Sequence, residues 1–251
     1  MSILKVENIN KSFKTLQVLQ NVSLEVQPGE RHVIIGPNGA GKTTLFNCIT
    51  NVLPIDSGKI FLEGQEISNM PSSKLVHLGM SRTFQKNNLF GNLTVEENLH
   101  LALTATKRYR YQMFHALTKH IDLKKETDEI LAQWEISTRR NVKVNNLSYG
   151  EQRLLEILLA MASKPKILLL DEPTSGMSPA ETAQTAEMIQ KLPRTVSILI
   201  IEHDMDVVFS IADRITVLHH GEVILSGTPE EVRNNEEVRK IYFGGGAKAH
   251  A

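Results

Sequence analysis

The sequence predicts an α/β fold built on a largely parallel sheet. Short runs of β-branched residues alternate along the chain with segments whose apolar residues recur at helical spacing, which is typical of strand–helix–strand units. A glycine-rich turn directly follows one of these strands at Gly36. From about residue 93 to residue 163 only helical patterns remain, which indicates a helical insertion.

The predicted elements follow from these patterns in chain order. Alternating or continuous apolar runs predict strands at residues 3–6, 22–26, 31–35, 59–62, 167–170, 196–201, 215–218 and 223–225. Helical spacing predicts helices at residues 42–50, 95–105, 124–134 and 154–161. Turns are expected at residues 56–58 and 219–222, and a capping Thr228 followed by Pro229 and Glu231 predicts one final helix. The tail at 244–251 is expected to fray.

The composition is that of an ordinary globular protein with no charge bias. Among 251 residues, Lys and Arg together number 28 and Asp and Glu together number 28, so the whole chain has no net attraction for nucleic acid or anionic lipid. Cys48 is the single cysteine, which excludes an internal disulfide and a cysteine-based zinc cluster. A reducing compartment is consistent with this cysteine usage.

No targeting or membrane segment is predicted. Residues 1–10 are polar and alternating, without the apolar block of a secretory signal. The longest apolar runs, 167–170 and 198–201, are far shorter than the ~20 residues that cross a bilayer. We therefore expect any membrane association to come through a partner.

Residues 36–43 match the pattern G-x-x-x-x-G-K-[ST]. Glycines in such a loop let successive backbone N–H groups turn toward phosphate oxygens at the positive end of the next helix. Lys42 can reach the β- and γ-phosphates, and the Thr43 hydroxyl can ligate Mg²⁺. The alternative is a glycine-rich turn that happens to contain a lysine, but the strand before and the helix after provide the context that the motif requires. We predict nucleotide binding here.

Two acids end the apolar strand at 167–170. A buried parallel strand delivers its last residues to the sheet edge where open α/β folds bind ligands. We assign Asp171 to the metal and Glu172 to the attacking water, because phosphoryl transfer to water needs a carboxylate in each role. Many surface strands also end in acids, so the assignment depends on the upstream phosphate loop.

Residues 147–152 precede the helical run at 154–161. Ser148 and Glu151 have the spacing of a capping box, so Ser148 is expected to cap a helix whose N-terminus attracts an anion. The same spacing occurs in three other pairs, so a purely structural cap remains an alternative: Thr94/Glu97, Ser178/Glu181 and Thr228/Glu231. Gly150 distinguishes this segment, since an ordinary first turn avoids glycine and a phosphate could approach it closely.

These segments, together with residues 83–85 and 201–204, resemble motifs of the ABC (ATP-binding cassette) ATPase family and occur in the same order. Residues 147–152 resemble its signature motif, although Tyr149 replaces the usual Gly and Glu151 replaces the usual Gln. The resemblance implies an α/β P-loop NTPase (RecA-like) core, an N-terminal antiparallel β subdomain and an inserted α-helical subdomain. It implies one cassette, with residues 1–92 and 164–251 as catalytic core and β subdomain, and 93–163 as the helical subdomain carrying the signature.

The resemblance also implies roles for further residues. Gln85 is expected to sense Mg²⁺ and water and to connect to a membrane subunit, and His203 is expected to contact the γ-phosphate. Residues 175–178 resemble the loop that communicates across the dimer. Phe13 stands where an aromatic residue, more often Tyr, stacks on adenine.

The expected site is therefore one for ATP and Mg²⁺. The expected catalytic residues are Lys42, Gln85, Glu172 and His203. The expected nucleotide contacts are Phe13, Gly36, Pro37, Asn38, Gly39, Ala40, Gly41, Lys42, Thr43, Thr44, Ser148 and Gly150. The expected metal contacts are Thr43, Gln85 and Asp171. In this family the signature binds the γ-phosphate held by the opposite subunit, which implies a head-to-tail dimer with the same or a sister chain.

Several segments are similar to the ATPase subunits of branched-chain (hydrophobic) amino acid importers: 79–85, 88–90, 93–98, 147–153 and 241–244. This resemblance implies ATP-driven uptake of such amino acids or a related small solute. It implies transmembrane permease partners, indirectly a solute-binding protein, and a cytoplasmic location on the inner face of the membrane. No nucleic acid partner is expected.

Three alternatives remain open at this stage. The chain could power a lipid or lipopolysaccharide exporter, act as a soluble ABC ATPase on nucleic acid or a regulator, or bind ATP without hydrolysing it. The last is disfavoured by the presence of Lys42, Asp171, Glu172 and His203. The basic and aromatic cluster at 107–114 could be solvated, meet a membrane or membrane partner, or stack on bases.

Overall fold

The computed structural model describes residues 1–83, 89–106 and 116–243. The chain divides into two compact units. The first comprises Met1–Arg82 and Lys166–Ala251, and the second comprises Thr83–Pro165. The sequence predicts an inserted helical segment at 93–163, and this segment lies within the second unit. No helix in the described part of the chain has the length and apolar character that a membrane crossing requires.

The elements run in the following order. The strands are β1 (Leu4–Phe13), β2 (Leu16–Val26), β3 (Arg31–Ile35), β4 (Ser57–Leu62), β5 (Gln65–Glu66), β6 (Met80–Arg82), β7 (Ile167–Asp171), β8 (Ser197–Ile201), β9 (Arg214–His219) and β10 (Glu222–Gly227). The helices are α1 (Lys42–Ile49), α2 (Ser72–His77), α3 (Val95–Thr106), α4 (Ala116–Gln133), α5 (Tyr149–Met161), α6 (Pro179–Lys191), α7 (Met205–Ile211), α8 (Pro229–Asn234) and α9 (Glu236–Phe243).

The larger sheet of the first unit is mostly parallel, as predicted. Its described strands lie in the order β10-β9-β3-β8-β7-β6, and only the β9–β10 pair is antiparallel. Every residue of β3, β7 and β8 is buried, which explains their nearly continuous apolar sequences. The parallel register places Ile34 and Asp171 opposite Ile201. The carboxyl ends of these three strands therefore meet at one edge.

A second sheet is antiparallel, with the order β2-β1-β4-β5. Its first two strands are much longer than the predicted 3–6 and 22–26. The added stretch of β1 is largely polar, and the pairing there is interrupted by register shifts between Val6 and Ile9 and between Ile9 and Lys11. Bulges of this kind break the two-residue alternation that the prediction relied on.

One apolar core joins the two sheets of the first unit. Ile9 and Ile60 of the antiparallel sheet, Phe46 of α1 and Leu199 of β8 belong to the same cluster of buried side chains. Helix α1 thus lies between the sheets, and burial of its Phe46 anchors the start of the helix that follows the glycine-rich loop.

The second unit has its own core. Val95 and Leu99 of α3, Leu131 of α4 and Leu155 of α5 form one buried cluster. The predicted helices at 95–105 and 124–134 correspond to α3 and α4. Helix α5 begins at Tyr149, earlier than the apolar run at 154, because Ser148 caps it.

Some local predictions were wrong. The chain ends in two helices rather than one, because Asn235 interrupts α8 and its Oδ1 accepts a hydrogen bond from the N–H of Val238 in α9 (3.0 Å). Ser57 and Gly58 belong to β4 instead of a turn, with Gly58 at φ 98°. The elements α2, β5, β6, α6 and α7 were not predicted.

We expect Leu199→Ala to lower the free energy of unfolding by roughly 2–5 kcal/mol, since the truncation leaves a cavity in the shared core. Chemical denaturation would measure the change. The control is Val76→Ala, a truncation at a half-exposed position of α2. A control change above about 0.5 kcal/mol, or a Leu199→Ala change below about 1 kcal/mol, would contradict this account of the core.

Candidate active site

The loop at 36–43 connects β3 to α1. Gly41 is the N-cap of α1 and adopts a left-handed conformation (φ 101°), and no side chain caps the helix there. The N–H groups of a first turn lack partners within their helix. An anion at this N-terminus could therefore accept hydrogen bonds from them and benefit from the helix dipole.

Glycine is required at two positions of this loop for reasons of space. A Cβ at Gly36 would lie 2.2 Å from the carbonyl oxygen of Leu218 in β9. At Gly41 it would lie 2.9 Å from the carbonyl oxygen of Val18 and from Cδ2 of Leu19, both in β2. The loop is thus packed tightly against both sheets, which holds its backbone in one path.

Lys42 lies in the first turn of α1 with only 7% of its surface exposed. Its Nζ donates hydrogen bonds to the carbonyl oxygens of Gly36 (2.6 Å) and Pro37 (3.0 Å). Burial lowers the pKa of the ammonium group, while the nearby Glu172 and Asp171 carboxylates act to raise it. The lysine is therefore positioned at the loop, and the two acids are close enough to act on it electrostatically.

Asp171 ends β7 and is 1% exposed. Its Oδ2 accepts a hydrogen bond from Nη2 of Arg82, at the end of the neighbouring β6 (2.9 Å). Nη1 of Arg82 donates to Asn47 Oδ1 (2.7 Å) and to Thr50 Oγ1 (3.0 Å), at the C-terminal end of α1. Sequence reasoning missed Arg82. Its only sequence signal is a basic residue directly before the 83–85 segment.

The donor set suits a hard divalent cation. Thr43 offers a hydroxyl in the first turn of α1 and Asp171 offers a carboxylate at the sheet edge. The described residues contain no group of three or more His, Cys, Asp or Glu side chains that could enclose a metal by themselves. Mg²⁺ typically takes one or two protein oxygens together with phosphate oxygens and water, so these residues fit that ion.

Glu172 has a strained backbone. Its φ of 46° lies in the left-handed region, which a residue other than glycine seldom adopts. Its N–H donates to the carbonyl of Ile201 (3.0 Å) and its carbonyl accepts from the N–H of Ser175 (3.2 Å). Such a conformation costs about 1–3 kcal/mol and persists only where the surrounding hydrogen bonds hold it.

His203 follows β8 at the same sheet edge. Its side chain is 57% exposed. The next residue, Asp204, caps α7 by accepting hydrogen bonds from the N–H groups of Asp206 and Val207. The cap fixes the chain direction directly after His203, so the histidine is presented to solvent from an anchored segment.

Phe13 is the last residue of β1 and is 44% exposed. It pairs with Leu16 across the β1–β2 hairpin, and the Lys11 ammonium lies 5.7 Å from the centre of its ring. Since β2 also contacts Gly41 through Val18 and Leu19, the hairpin that carries Phe13 belongs to the surroundings of the loop. An exposed aromatic ring here is available for stacking.

Ser148 and Gly150 lie in the second unit, at the start of α5. Ser148 Oγ accepts from the N–H of Glu151 (3.2 Å), and Glu151 Oε2 accepts from the N–H of Ser148 (2.8 Å). Arg139 forms an ion pair with the same Glu151 (2.6 Å). Full capping boxes also occur at α6 and α8, so the cap itself does not mark a ligand site. Gly150 in the first turn is the distinguishing feature.

Two sequence predictions fall outside the described residues. These are the metal and catalytic role of Gln85 and the basic and aromatic cluster at 107–114. The structure thus gathers the loop at 36–44, Asp171, Glu172 and His203 in the first unit, and places the signature residues in the second.

Two family models match the chain. The model described as ABC transporter matches residues 19–175, and that described as branched-chain amino acid ATP-binding cassette transporter matches residues 222–248. The first covers the loop, the signature segment and both acids. The chain therefore belongs to the ABC transporter family and is an ATPase with the P-loop NTPase fold predicted from its sequence.

Individual relatives cover almost the whole chain. It is 39% identical to the high-affinity branched-chain amino acid transport ATP-binding protein LivG of Escherichia coli K12, over 96% of this chain and 98% of that protein. It is 36% identical to the lipopolysaccharide export system ATP-binding protein LptB of Haemophilus influenzae, over 97% and 98%. The crystal structure of the ADP conformation of MJ1267, an ATP-binding cassette of an ABC transporter, matches with a TM-score of 0.83, 32% identity and coverage of 97% and 99%.

We expect Gly36→Ala to weaken MgATP binding at least about tenfold, because the added methyl group cannot fit against Leu218 and must displace the loop from its phosphate-binding path. Titration with a fluorescent ATP analogue would measure this. Gly227→Ala is the matched control, since its new Cβ meets side-chain atoms of Glu231, in the capping box of α8, and no atom of the phosphate loop. Equal affinities for the two variants would show that the tight packing at Gly36 does not matter for binding.

Proposed function

We propose that this chain is the ATP-hydrolysing subunit of an importer for branched-chain amino acids or a related small solute. The observation that carries the proposal is the match of its C-terminal residues 222–248 to a branched-chain amino acid transporter model, on a cassette 39% identical to LivG. The site described above supplies the ATP hydrolysis that drives transport. The geometry of the site and membership of the family support the remaining assignments.

The phosphates of ATP are held at the loop between β3 and α1. Residues 36–44 bind the β- and γ-phosphates, mainly through the backbone N–H groups of residues 38–44 at the α1 N-terminus, since Pro37 has no N–H to donate. Lys42 moves its hydrogen bonds from the loop carbonyls to phosphate oxygens. Phe13 stacks on the adenine ring. Because the loop is rigidly packed, little reorganisation is needed on binding.

Magnesium is held by Thr43 and Asp171, with Gln85 as a further contact. When bound it neutralises charge that develops on the phosphate oxygens. Arg82 orients the Asp171 carboxylate by donating a hydrogen bond to Oδ2, and its positive charge stabilises the ionised carboxylate. The side chain that faces the metal is thereby fixed before the nucleotide arrives.

Glu172 orients and deprotonates the attacking water, and His203 contacts the γ-phosphate. The strained turn holds Glu172 at the sheet edge, and Asp204 anchors the segment after His203. Both residues follow strands whose carboxyl ends meet at the sheet edge where the phosphate loop begins. Positioning and charge neutralisation supply most of the rate acceleration in such reactions.

The working unit is a head-to-tail dimer with a second cassette, either a copy of this chain or a sister chain. Ser148 and Gly150 of one cassette bind the γ-phosphate held by Lys42 of the other. Closure on ATP and reopening after hydrolysis are transmitted through the Gln85 region to permease subunits. The chain thus works at the cytoplasmic face of the membrane, downstream of a solute-binding protein and without a nucleic acid partner.

Export of lipopolysaccharide is the second candidate function. The 36% identity to LptB over nearly the full chain supports it. The C-terminal match at 222–248 favours the amino acid importer. An ATPase subunit does not contact the cargo, so transport itself must be measured.

Deleting the chain from its source cells should abolish high-affinity uptake of radiolabelled leucine, isoleucine and valine, because the importer cannot form its ATPase dimer without this chain. Re-expression of the wild-type chain should restore uptake, and an equally expressed Glu172→Gln chain should not. Unchanged uptake together with loss of surface lipopolysaccharide would favour the exporter instead.

We expect Glu172→Gln to retain MgATP binding and lower the hydrolysis rate by about 10²–10⁴-fold, since the amide cannot accept the proton of water. Phosphate release and nucleotide titration would measure the two effects. Size-exclusion chromatography with MgATP should show a persistent dimer. Lys42→Ala serves as the matched comparison, because it should lose affinity and remain monomeric. Turnover by Glu172→Gln at the parental rate would exclude this role.

A further inference from the structure

Glu202 is a fully buried acid at the active-site edge, and the proposed reaction does not use it. It lies between Ile201, the last residue of β8, and the exposed His203. None of its surface is exposed. A carboxylate with no access to water is costly to bury unless hydrogen-bond donors surround it. Its partners therefore indicate what it does.

The two carboxylate oxygens of Glu202 serve different segments. Oε1 accepts hydrogen bonds from the backbone N–H (3.1 Å) and the Oγ1 hydroxyl (2.6 Å) of Thr174. Oε2 accepts from the backbone N–H of His203 (3.0 Å). An ionised carboxylate only accepts hydrogen bonds, so it matches all three donors. The side chain bridges the turn after β7 and the segment after β8.

Both bridged segments carry reacting residues. Thr174 lies two residues after Glu172, whose carbonyl also accepts from Ser175 to close the strained turn. The main chain of Glu202 extends the link, since its N–H donates to the carbonyl of Ile34 in β3 (3.3 Å). One residue thus connects the Glu172 turn, the His203 segment and the strand that leads to the phosphate loop.

We propose that Glu202 is a positioning residue for ATP hydrolysis, whose buried carboxylate sets the placement of Glu172 relative to His203. The inference deepens the proposed function and rests on it. Because Glu202 is fully buried, we assign it no contact with the nucleotide or the attacking water. It acts by holding the water-activating acid and the phosphate-sensing histidine in one geometry, which a water attack on the γ-phosphate requires.

The carboxylate is specifically suited to this role. In Glu202→Gln the amide nitrogen must face either Thr174 or His203, and both present N–H donors. At that contact the amide N–H and the backbone N–H face each other as two donors, so one of the two hydrogen-bonded contacts of residue 202 is lost. In Glu202→Asp the side chain is one methylene shorter, so a single carboxylate cannot span both partners.

The test separates binding from chemistry. We expect Glu202→Gln to lower kcat about tenfold, because the variant loses one charge-assisted hydrogen bond that holds Glu172 and His203 in place. Its Kd for a fluorescent ATP analogue with Mg²⁺ should stay within about twofold of the wild type, since the phosphate loop is unchanged. Glu202→Asp should not rescue kcat.

A second pair of variants keeps the test independent of any folding defect. Thr174→Val removes the hydroxyl and leaves the backbone N–H, so kcat should fall about threefold. The double variant with Glu202→Gln should be no slower than Glu202→Gln alone, because both act through one bridge. The matched control is Thr216→Val, which removes a buried hydroxyl bonded to His32 and Ser226 and should keep the wild-type kcat.

Wild-type kcat for Glu202→Gln, or additive losses in the double variant, would overturn the proposal. A loss of kcat matched by an equal loss of nucleotide affinity, or by an equal loss in Thr216→Val, would show a general structural brace instead. If Glu202→Gln does not fold, a wild-type kcat for Thr174→Val overturns it. Failure of the proposed function is distinct, because it would appear as unchanged amino acid uptake in the deletion strain, or as turnover by Glu172→Gln at the parental rate.

Discussion

The structure depends on the parallel register of β3, β8 and β7. Each of these strands is buried along its full length. A shift of one strand by one residue would move all its apolar side chains to the opposite face of the sheet and would disrupt its hydrogen bonds to the strands beside it. The register instead places Ile34 and Asp171 opposite Ile201. The phosphate loop, the two acids and the histidine segment all begin where these strands end. Hydrophobic burial in the sheet thereby determines the geometry of a polar site.

The features that sequence reasoning found are those encoded by local patterns. The apolar runs of β3, β7 and β8, the glycine-rich loop and the capping Ser148 each carry a signal within a few residues. The α/β class followed from these patterns, and the P-loop NTPase fold followed from the family resemblance that the motifs carry. The family comparisons confirm both. A turn at 219–222 was also predicted. In the structure the turn between β9 and β10 is shorter and consists of His220 and Gly221, which have the positive φ values that such hairpins require.

The features that it missed depend on distant pairs. The long polar part of β1 is stabilised by pairing with β2 and β4 and has no alternation of its own. The partnership of Arg82 with Asp171 joins residues 89 positions apart, and that of Glu202 with Thr174 joins residues 28 positions apart. No local pattern announces such contacts. The departure of Glu172 from ordinary backbone geometry is likewise set by the surrounding hydrogen bonds and not by its own sequence.

The inserted unit leaves and rejoins the first unit between two strands that are direct neighbours in the sheet. Met80 of β6 pairs with Ile167 of β7, and the N–H groups of Lys166 and Ile167 both donate to the carbonyl of Gly79. The residues that flank the 83–165 segment are thus held next to each other by backbone hydrogen bonds of the sheet. Evolution can consequently lengthen, shorten or exchange the intervening segment while the hydrolytic sheet keeps its strand order.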